Sequence, residues 1–394
     1  MDGMRMRGTL LSSLIIFAAS SLATAEMLVT DPLLTIRHDG ILSAALSPDG
    51  LLVATGATDN LVKIRNHVGT LMRTVGHGGQ FEQGVFAIAF SADGSKLVTG
   101  GGDATARIWD VATGSPLLVI SGHEGDETVH AVAFSPDGSK VLIGSNMDTE
   151  LYDASTGLLI RDFKDPRFPD GLVSFRASAV SFSKDGSKVL ASSEDTWIGC
   201  MWDAATGQSI RTFGDDTRLV ASTLWLTSDG TKLLSGGDRV RFWNTATGAV
   251  QYTFSGGTFG GLALSPDESQ VLAGGTSRIV LWDAMTGRVL RQYGSGNADD
   301  GNNVFYVGFG GQRLMSARQD GTATLWWAGG WPGDATQDCS VNILDLIVIR
   351  NLAHQPASTG NNWLADVNCD GRINILDLLF ARNHLRNKCQ SIAD

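Results

Sequence analysis

Proline, cysteine and basic charge are scarce in this chain, and each shortage removes a class of answer. Nine of 394 residues are proline and four are cysteine, while 30 lysines and arginines face 41 acidic residues, for a net charge of −11. No basic run occurs anywhere. A phosphate backbone would therefore be repelled, and nucleic acid is not an expected partner. Beyond the first 25 residues no segment approaches the roughly 18 uninterrupted apolar residues of a membrane-spanning helix, so no span is expected once those residues are removed. Cys-x-x-Cys and paired histidines are missing, which argues against zinc. So are a Gly-x-Ser-x-Gly elbow and a phosphate-cradling loop with its lysine. His123-Glu124 with His130 does not have the zinc-protease spacing, which needs the second histidine four residues after the first on one helix face. No catalytic constellation is found, and no enzyme activity is expected.

Glycine is plentiful, at 48 residues, and hydrophobic residues make up 43% against 18% charged. A chain of this length can bury about two or three domains, and this composition is not that of a disordered chain. Much glycine with little proline suits many short strands joined by tight turns, because glycine supplies the positive φ such turns need. The acidic excess would suit a divalent cation.

Residues 1–25 read as a secretory signal peptide. Arg5 and Arg7 form a positive start, Leu10 to Leu22 a short apolar stretch, and Ala23-Thr24-Ala25 a small-x-small cleavage site. The stretch is short for a membrane helix, an uncleaved anchor being the competing reading. The expected location is secreted: extracellular, at the cell surface or periplasmic. Three of the four cysteines, Cys339, Cys369 and Cys389, crowd into the last 60 or so residues. In an exported protein that favours a disulfide in the tail.

The chain repeats itself. Ala87-Ile88-Ala89-Phe90-Ser91-Ala92-Asp93-Gly94-Ser95-Lys96 returns as Ala131-Val132-Ala133-Phe134-Ser135-Pro136-Asp137-Gly138-Ser139-Lys140 and again from Ala179 to Lys188. Weaker copies begin near Ala44, Thr223, Leu262 and Val307. The turn aspartates Asp49, Asp93, Asp137, Asp185, Asp229 and Asp267 are spaced 44, 44, 48, 44 and 38, and the seventh copy has Gly310-Gly311 at the turn. Seven units of about 44 residues match a β-propeller with four strands per blade. Each unit alternates with the two-residue period of a strand, turns at Ser-Pro-Asp-Gly, and later ends a strand in an aromatic and an acid. Those endings are Trp109-Asp110, Tyr152-Asp153, Trp202-Asp203 and Trp282-Asp283, with Trp243-Asn244 as a variant. Together with Gly76-His77 and Gly122-His123, this pattern resembles the WD-repeat family over roughly residues 27–328. The resemblance implies an all-β, seven-bladed propeller, used as a protein-binding platform. The seventh unit stops at Thr324-Leu325-Trp326-Trp327, while Pro32-Leu33-Leu34-Thr35-Ile36-Arg37 looks like the fourth strands Pro116–Ile120 and Gln208–Arg211. The N-terminal strand is therefore expected to complete the last blade and leave that edge no open partner.

His77 and His123 with Asp103 and Asp148 look catalytic in isolation, but their recurrence at one place per blade makes them turn-fixing residues. Insertions gather between successive blades, at Gly78 to Gly84, Glu124 to Thr128, Lys164 to Ser174 and Asn297 to Asn302. These connections open on one face of a propeller, where Phe81, Arg167, Phe168 and Asp299 are candidate partner contacts.

After Gly329-Gly330 the composition changes. Asp334-Ala-Thr336-Gln-Asp338-Cys-Ser340-Val341-Asn342-Ile-Leu-Asp345 recurs 32 residues later as Asp366-Val-Asn368-Cys-Asp370-Gly371-Arg372-Ile373-Asn374-Ile-Leu-Asp377. Each copy places oxygen side chains at loop positions 1, 3, 5, 9 and 12, the spacing at which a twelve-residue loop surrounds calcium. The position-7 carbonyl, Ser340 or Arg372, adds a backbone ligand. Leu376, Leu379, Phe380 and Leu385 keep helical spacing behind the second loop. This arrangement resembles a type I dockerin over about residues 333–389, a small α-helical domain of two EF-hand-like loops each followed by a helix. The resemblance implies that Asp366, Asn368, Asp370, Asn374 and Asp377 bind one Ca2+, and Asp334, Thr336, Asp338, Asn342 and Asp345 a second, with the two asparagines at position 9 acting directly or through water. Cys339 stands where the second loop has Gly371, and Thr336 is a poorer ligand than asparagine, so the first loop is expected to be the weaker. In the dockerin arrangement the end of the module lies beside its first loop. A Cys339–Cys389 disulfide would then close about 50 residues and contribute about 3–4 kcal/mol on the chain-entropy model, with Cys369 as a competing partner. Cys200 is expected as a buried thiol.

Dockerins meet a cohesin through helix residues that begin at loop positions 10 and 11, where both copies here carry an apolar pair, Ile343-Leu344 and Ile375-Leu376. The pairs would serve a cohesin-like partner, another extracytoplasmic protein, or the propeller itself. The expected order is a leader over 1–25, a propeller over 27–328, a linker over 329–332, a dockerin-like domain over 333–389 and a tail over 390–394. The expected function is that of a secreted, non-catalytic interaction scaffold. An exported propeller enzyme of lactonase-like type and a non-catalytic component of a polysaccharide-degrading assembly stand as alternatives, the latter by analogy.

Overall fold

The structure is a computed structural model, and it describes residues 27–29, 32–78, 84–121, 128–164, 166, 176–193, 198–214, 223–254, 259–276, 278–294, 303–311, 313–328 and 390–391. The repeats form seven sheets. Blades one to six occupy residues 41–76, 85–121, 131–163, 177–213, 223–253 and 259–293, each with four antiparallel strands in chain order. Blade seven takes three strands from 304–327 and its fourth from Leu34–Arg37, which pairs Leu34 with Leu325 and Arg37 with Thr322. Strand replacement by the N-terminal segment thus occurs as the repeat pattern implies. The first strands form the inner ring, and that of blade seven (Val304–Gly310) packs on that of blade one (Ile41–Leu46) to close it.

The second strand of each blade is a run of apolar residues rather than an alternation, because neighbouring blades cover both its faces. In Lys140–Gly144 the side chains of Val141, Leu142 and Ile143 are 0% exposed. The core accordingly lies between blades. Val98, Ile108 and Ile120 of blade two pack with Val132, Val141 and Tyr152 of blade three. Phe254 of blade five meets Trp282 of blade six at a ring-centroid distance of 5.4 Å.

The first turn of six blades is built alike. In blade three the Ser135 hydroxyl donates to Asp137 Oδ1 at 2.6 Å, and the same oxygen accepts the Ser139 N–H at 3.0 Å. Gly138 follows at φ 69°, where a side chain would be strained. Blade six carries Glu268 at that place, at φ 60°, and its carboxylate accepts the Ser228 N–H of blade five at 2.5 Å. This bond between blades offsets part of the backbone strain.

The seventh copy lacks the motif for a steric reason. Its turn lies directly under that of blade one, with Gly311 N–H donating to the Pro48 carbonyl at 2.8 Å. A Cβ on Gly310 would stand 2.3 Å from the Ser47 carbonyl oxygen. Only glycine fits this seam. Arg313, 4% exposed, donates there to the Gly50 carbonyl at 3.2 Å.

Beyond the sequence expectation, Met27–Val29 adds a parallel strand to the outer strand of blade six (Val289–Tyr293), and Gln390–Ser391 pairs antiparallel to it. The two ends of the described chain meet on that edge.

Candidate functional site

In blade two the expected structural pair of His77 and Asp103 forms. His77 Nε2 bonds Thr99 Oγ1 at 2.8 Å and its Nδ1 bonds Asp103 Oδ1 at 2.9 Å. The Trp109 indole N–H donates to the same Thr99 hydroxyl at 2.9 Å. Burial by itself would raise the Asp103 carboxyl, but bonds from His77 and Thr105, with Arg107 alongside, bring it down to about 2. The group is a closed structural network with no open coordination position. Blade one has a partial version that the Gly-His signature does not reveal, because Arg37 precedes the histidine. There His38 bonds Thr55 Oγ1 at 2.9 Å and Asp59 Oδ2 at 3.3 Å, and burial lowers its pKa despite the Asp59 bond.

Asp148 of blade three is not held by a histidine in the described residues. Lys164 bridges it to Asp162 instead, and the Tyr152 hydroxyl donates to Glu150 at 2.8 Å. His123 lies outside the described residues. Among the described residues no group of three histidine, cysteine, aspartate or glutamate side chains is placed to hold a metal ion, and no helix is long and apolar enough to cross a membrane. Cys200 is a buried thiol in the core between blades three and four, 1% exposed.

The rim candidates Phe81, Arg167, Phe168 and Asp299 lie outside the described residues. So do both calcium loops with all their ligands, the Ile343-Leu344 and Ile375-Leu376 pairs, and Cys339, Cys369 and Cys389.

The inner ring holds a feature that sequence reasoning passed over. Position by position, Ala45, Ala89, Ala133, Ser181, Trp225, Ala263 and Gly308 are equivalent, since each pairs with the corresponding residue of its second strand. Six are small and one is tryptophan. Trp225 is 42% exposed, while its neighbours Leu224 and Leu226 are buried. Its indole N–H donates to the Leu262 carbonyl, in the inner strand of blade six, at 3.1 Å. A side chain in mid-strand on the innermost ring, bonded across to the next inner strand, can be exposed only to the central opening. Aligning the repeats at this column would have flagged it.

Comparison with known proteins agrees with the two-part organisation. Residues 30–66, 69–110 and 114–153 match the WD domain, G-beta repeat, and residues 332–386 match the dockerin type I domain. No curated protein matches the chain. Each WD match begins in the outer strand of one blade and ends in the third strand of the next, as in 69–110, which joins Leu71–Gly76 to the first three strands of blade two. That offset is why the ring closes with an N-terminal strand. WD repeats and dockerins are interaction modules that are typically non-catalytic, and dockerins bind calcium and a cohesin-type protein and are typical of extracellular proteins. The sheets make this chain a seven-bladed β-propeller, of which residues 30–66, 69–110 and 114–153 match WD repeats, and residues 332–386 match a dockerin type I domain.

Proposed function

We propose that the chain is an exported, non-catalytic docking scaffold, in which the propeller presents one binding surface and the calcium-loaded dockerin type I domain attaches it to a second protein outside the cytoplasm. The observation that carries this reading is the dockerin match over 332–386, which contains both twelve-residue loops. The leader-like residues 1–25 support export, and the last described blade strand, ending at Trp327, supports a boundary near 328 with a linker over 329–332.

The donor sets fit calcium chemically. Each loop offers oxygen ligands only, which a hard cation prefers, and without a cation the carboxylates of Asp366, Asp370 and Asp377 would repel one another. Asp366, Asn368, Asp370, Asn374 and Asp377 with the Arg372 carbonyl would hold one ion. Asp334, Thr336, Asp338, Asn342 and Asp345 with the Ser340 carbonyl would hold a second, more weakly. A Cys339–Cys389 bond would clasp the module. Ile343-Leu344 and Ile375-Leu376 would form the apolar contacts to a cohesin-like partner.

Calorimetric titration of calcium into the chelator-stripped full chain tests this. Two ions are expected, with one lost in Asp377→Ala and the other in Asp345→Ala. One ion, unaffected by Asp345→Ala, would show that the first loop does not bind. No binding would overturn the calcium reading.

A further inference from the structure

Blade six shows what the outer edge of a blade in this ring can hold. Its fourth strand, Val289–Tyr293, is extended in parallel by Met27–Val29, with Met27 opposite Arg291 and Val29 opposite Tyr293. The added strand has the apolar sequence Met-Leu-Val and pairs with the three residues that follow a register shift against the third strand. Among the described residues no such strand covers the fourth strands of the first five blades. Of these, Pro116–Ser121 of blade two has the same shift. By their pairing with the third strand, its Leu118, Val119 and Ile120 correspond to Arg291, Gln292 and Tyr293.

That edge differs from the others in what it exposes. The place of Val119 is taken in the other six blades by Thr74, Asp162, Thr212, Thr253, Gln292 and Thr35. Blade two alone has an apolar side chain there, 48% exposed, beside Leu117 at 52%. The strand has six residues and none is charged. Natural edge strands are blunted by a charge or a covering segment, because their outward N–H and C=O groups otherwise recruit another strand. Arg107, directly across from Val119, is paired with Asp103 and so brings no uncompensated charge to this edge. The apolar surface continues onto blade three. Gly157 of that blade lies against Leu118, where an added Cβ would stand 3.3 Å from Leu118 Cδ1, and the next residue, Leu158, is 68% exposed.

We propose that the outer strand of blade two is a docking edge for an extended, uncharged apolar segment of a partner protein, which adds to it as a parallel fifth strand. Backbone hydrogen bonds supply the pairing, and Leu117, Val119 and Leu158 select apolar side chains at alternate positions. A charged segment is disfavoured, because it would lose water against this surface and find no counter-charge. A helical segment would leave the outward backbone groups of the strand unpaired. The inference rests on the propeller half of the docking function and names the partner it fits, without reference to the calcium loops.

The probe is a fluorescein-labelled peptide, Ser-Val-Leu-Val-Ile-Ser, titrated with the full chain in excess chelator and read by anisotropy. Chelator keeps the calcium loops out of the measurement, so failure here leaves the calcium titration as it stands. Saturable binding is expected. Val119→Lys is expected to weaken it by about tenfold or more, and Val119→Thr by about threefold. Thr74→Lys, at the same place on blade one, is expected to leave it unchanged. The peptide N-methylated throughout, which cannot donate to the edge, should not bind. If Val119→Lys does not fold, as judged by its melting curve, Val119→Thr carries the test. Absence of binding, binding that neither Val119 variant weakens, or equal binding of the N-methylated peptide would overturn the proposal. Concentration-dependent dimerisation in sedimentation, lost in Val119→Lys and without peptide binding, would overturn the partner segment and assign the edge to a second copy of this chain.

Discussion

Blades two and three share a sheet order, a turn and a core position for their signature aromatic, yet they are secured differently at the upper corner. In blade two, His77, Asp103, Thr99 and Trp109 form one buried network. In blade three, Tyr152 replaces the tryptophan and turns its hydroxyl to Glu150, and a partly exposed Lys164 bridges Asp148 and Asp162. Both blades nonetheless pair all four strands antiparallel, each with a register shift between its third and fourth strands. Among the described residues, apolar packing between the two blades is what both share.

If packing is the common basis, truncating the aromatic should hurt both blades most and about equally. Trp109→Ala and Tyr152→Ala are each expected to cost about 3–5 kcal/mol in denaturant unfolding, since both are at most 6% exposed. A cheap Tyr152→Ala would break the comparison. The corners should differ next. His77→Ala leaves buried partners unsatisfied and is expected to cost about 1–3 kcal/mol, whereas Lys164→Ala removes a partly exposed bridge worth about 1 kcal/mol or less. Tyr152→Phe, which deletes only the hydroxyl bonded to Glu150, should cost about 1 kcal/mol by the same measurement.

The smallest effects are those of pH on features the two blades share or lack. Hydroxyl and N–H donors hold Asp93 and Asp137 at about 2, below the ordinary 3.8. A depressed carboxylate stabilises the fold above its unfolded pKa and ceases to as pH falls through the folded value, so melting temperature should drop as pH falls from about 4 to 2. His38, lowered from 6.5 by burial, should add an earlier decline below about pH 6.5, because the unfolded chain takes up its proton first. Ser91→Ala should flatten the acid limb slightly, and His38→Gln should shrink the earlier step, to which His67, also lowered by burial, contributes.

The turns were legible in the sequence because their causes are local. Asp137 binds a hydroxyl and an N–H within two residues of itself, so the motif reads directly from Ser135 to Ser139. His38 was not legible, because its partners Thr55 and Asp59 lie 17 and 21 residues away and no Gly-His pair marks it. Lys164 was likewise hidden, since one of its partners, Asp148, lies 16 residues away. Trp225 reads as one more strand aromatic until the ring shows which side of it faces solvent.

What the sequence by itself determined was the number of blades, the strand that closes them, and the twelve-residue spacing of oxygen ligands in the tail. Each of these is written in periodicity or in donors a few residues apart, and short-range geometry needs no other part of the chain to specify it. Tertiary structure alone decided that His38 meets Asp59, why the seventh turn must be Gly310-Gly311, and that an indole of the inner ring is exposed. Those outcomes depend on distances between residues that are far apart in the chain, which exist only once seven sheets have packed around a common axis.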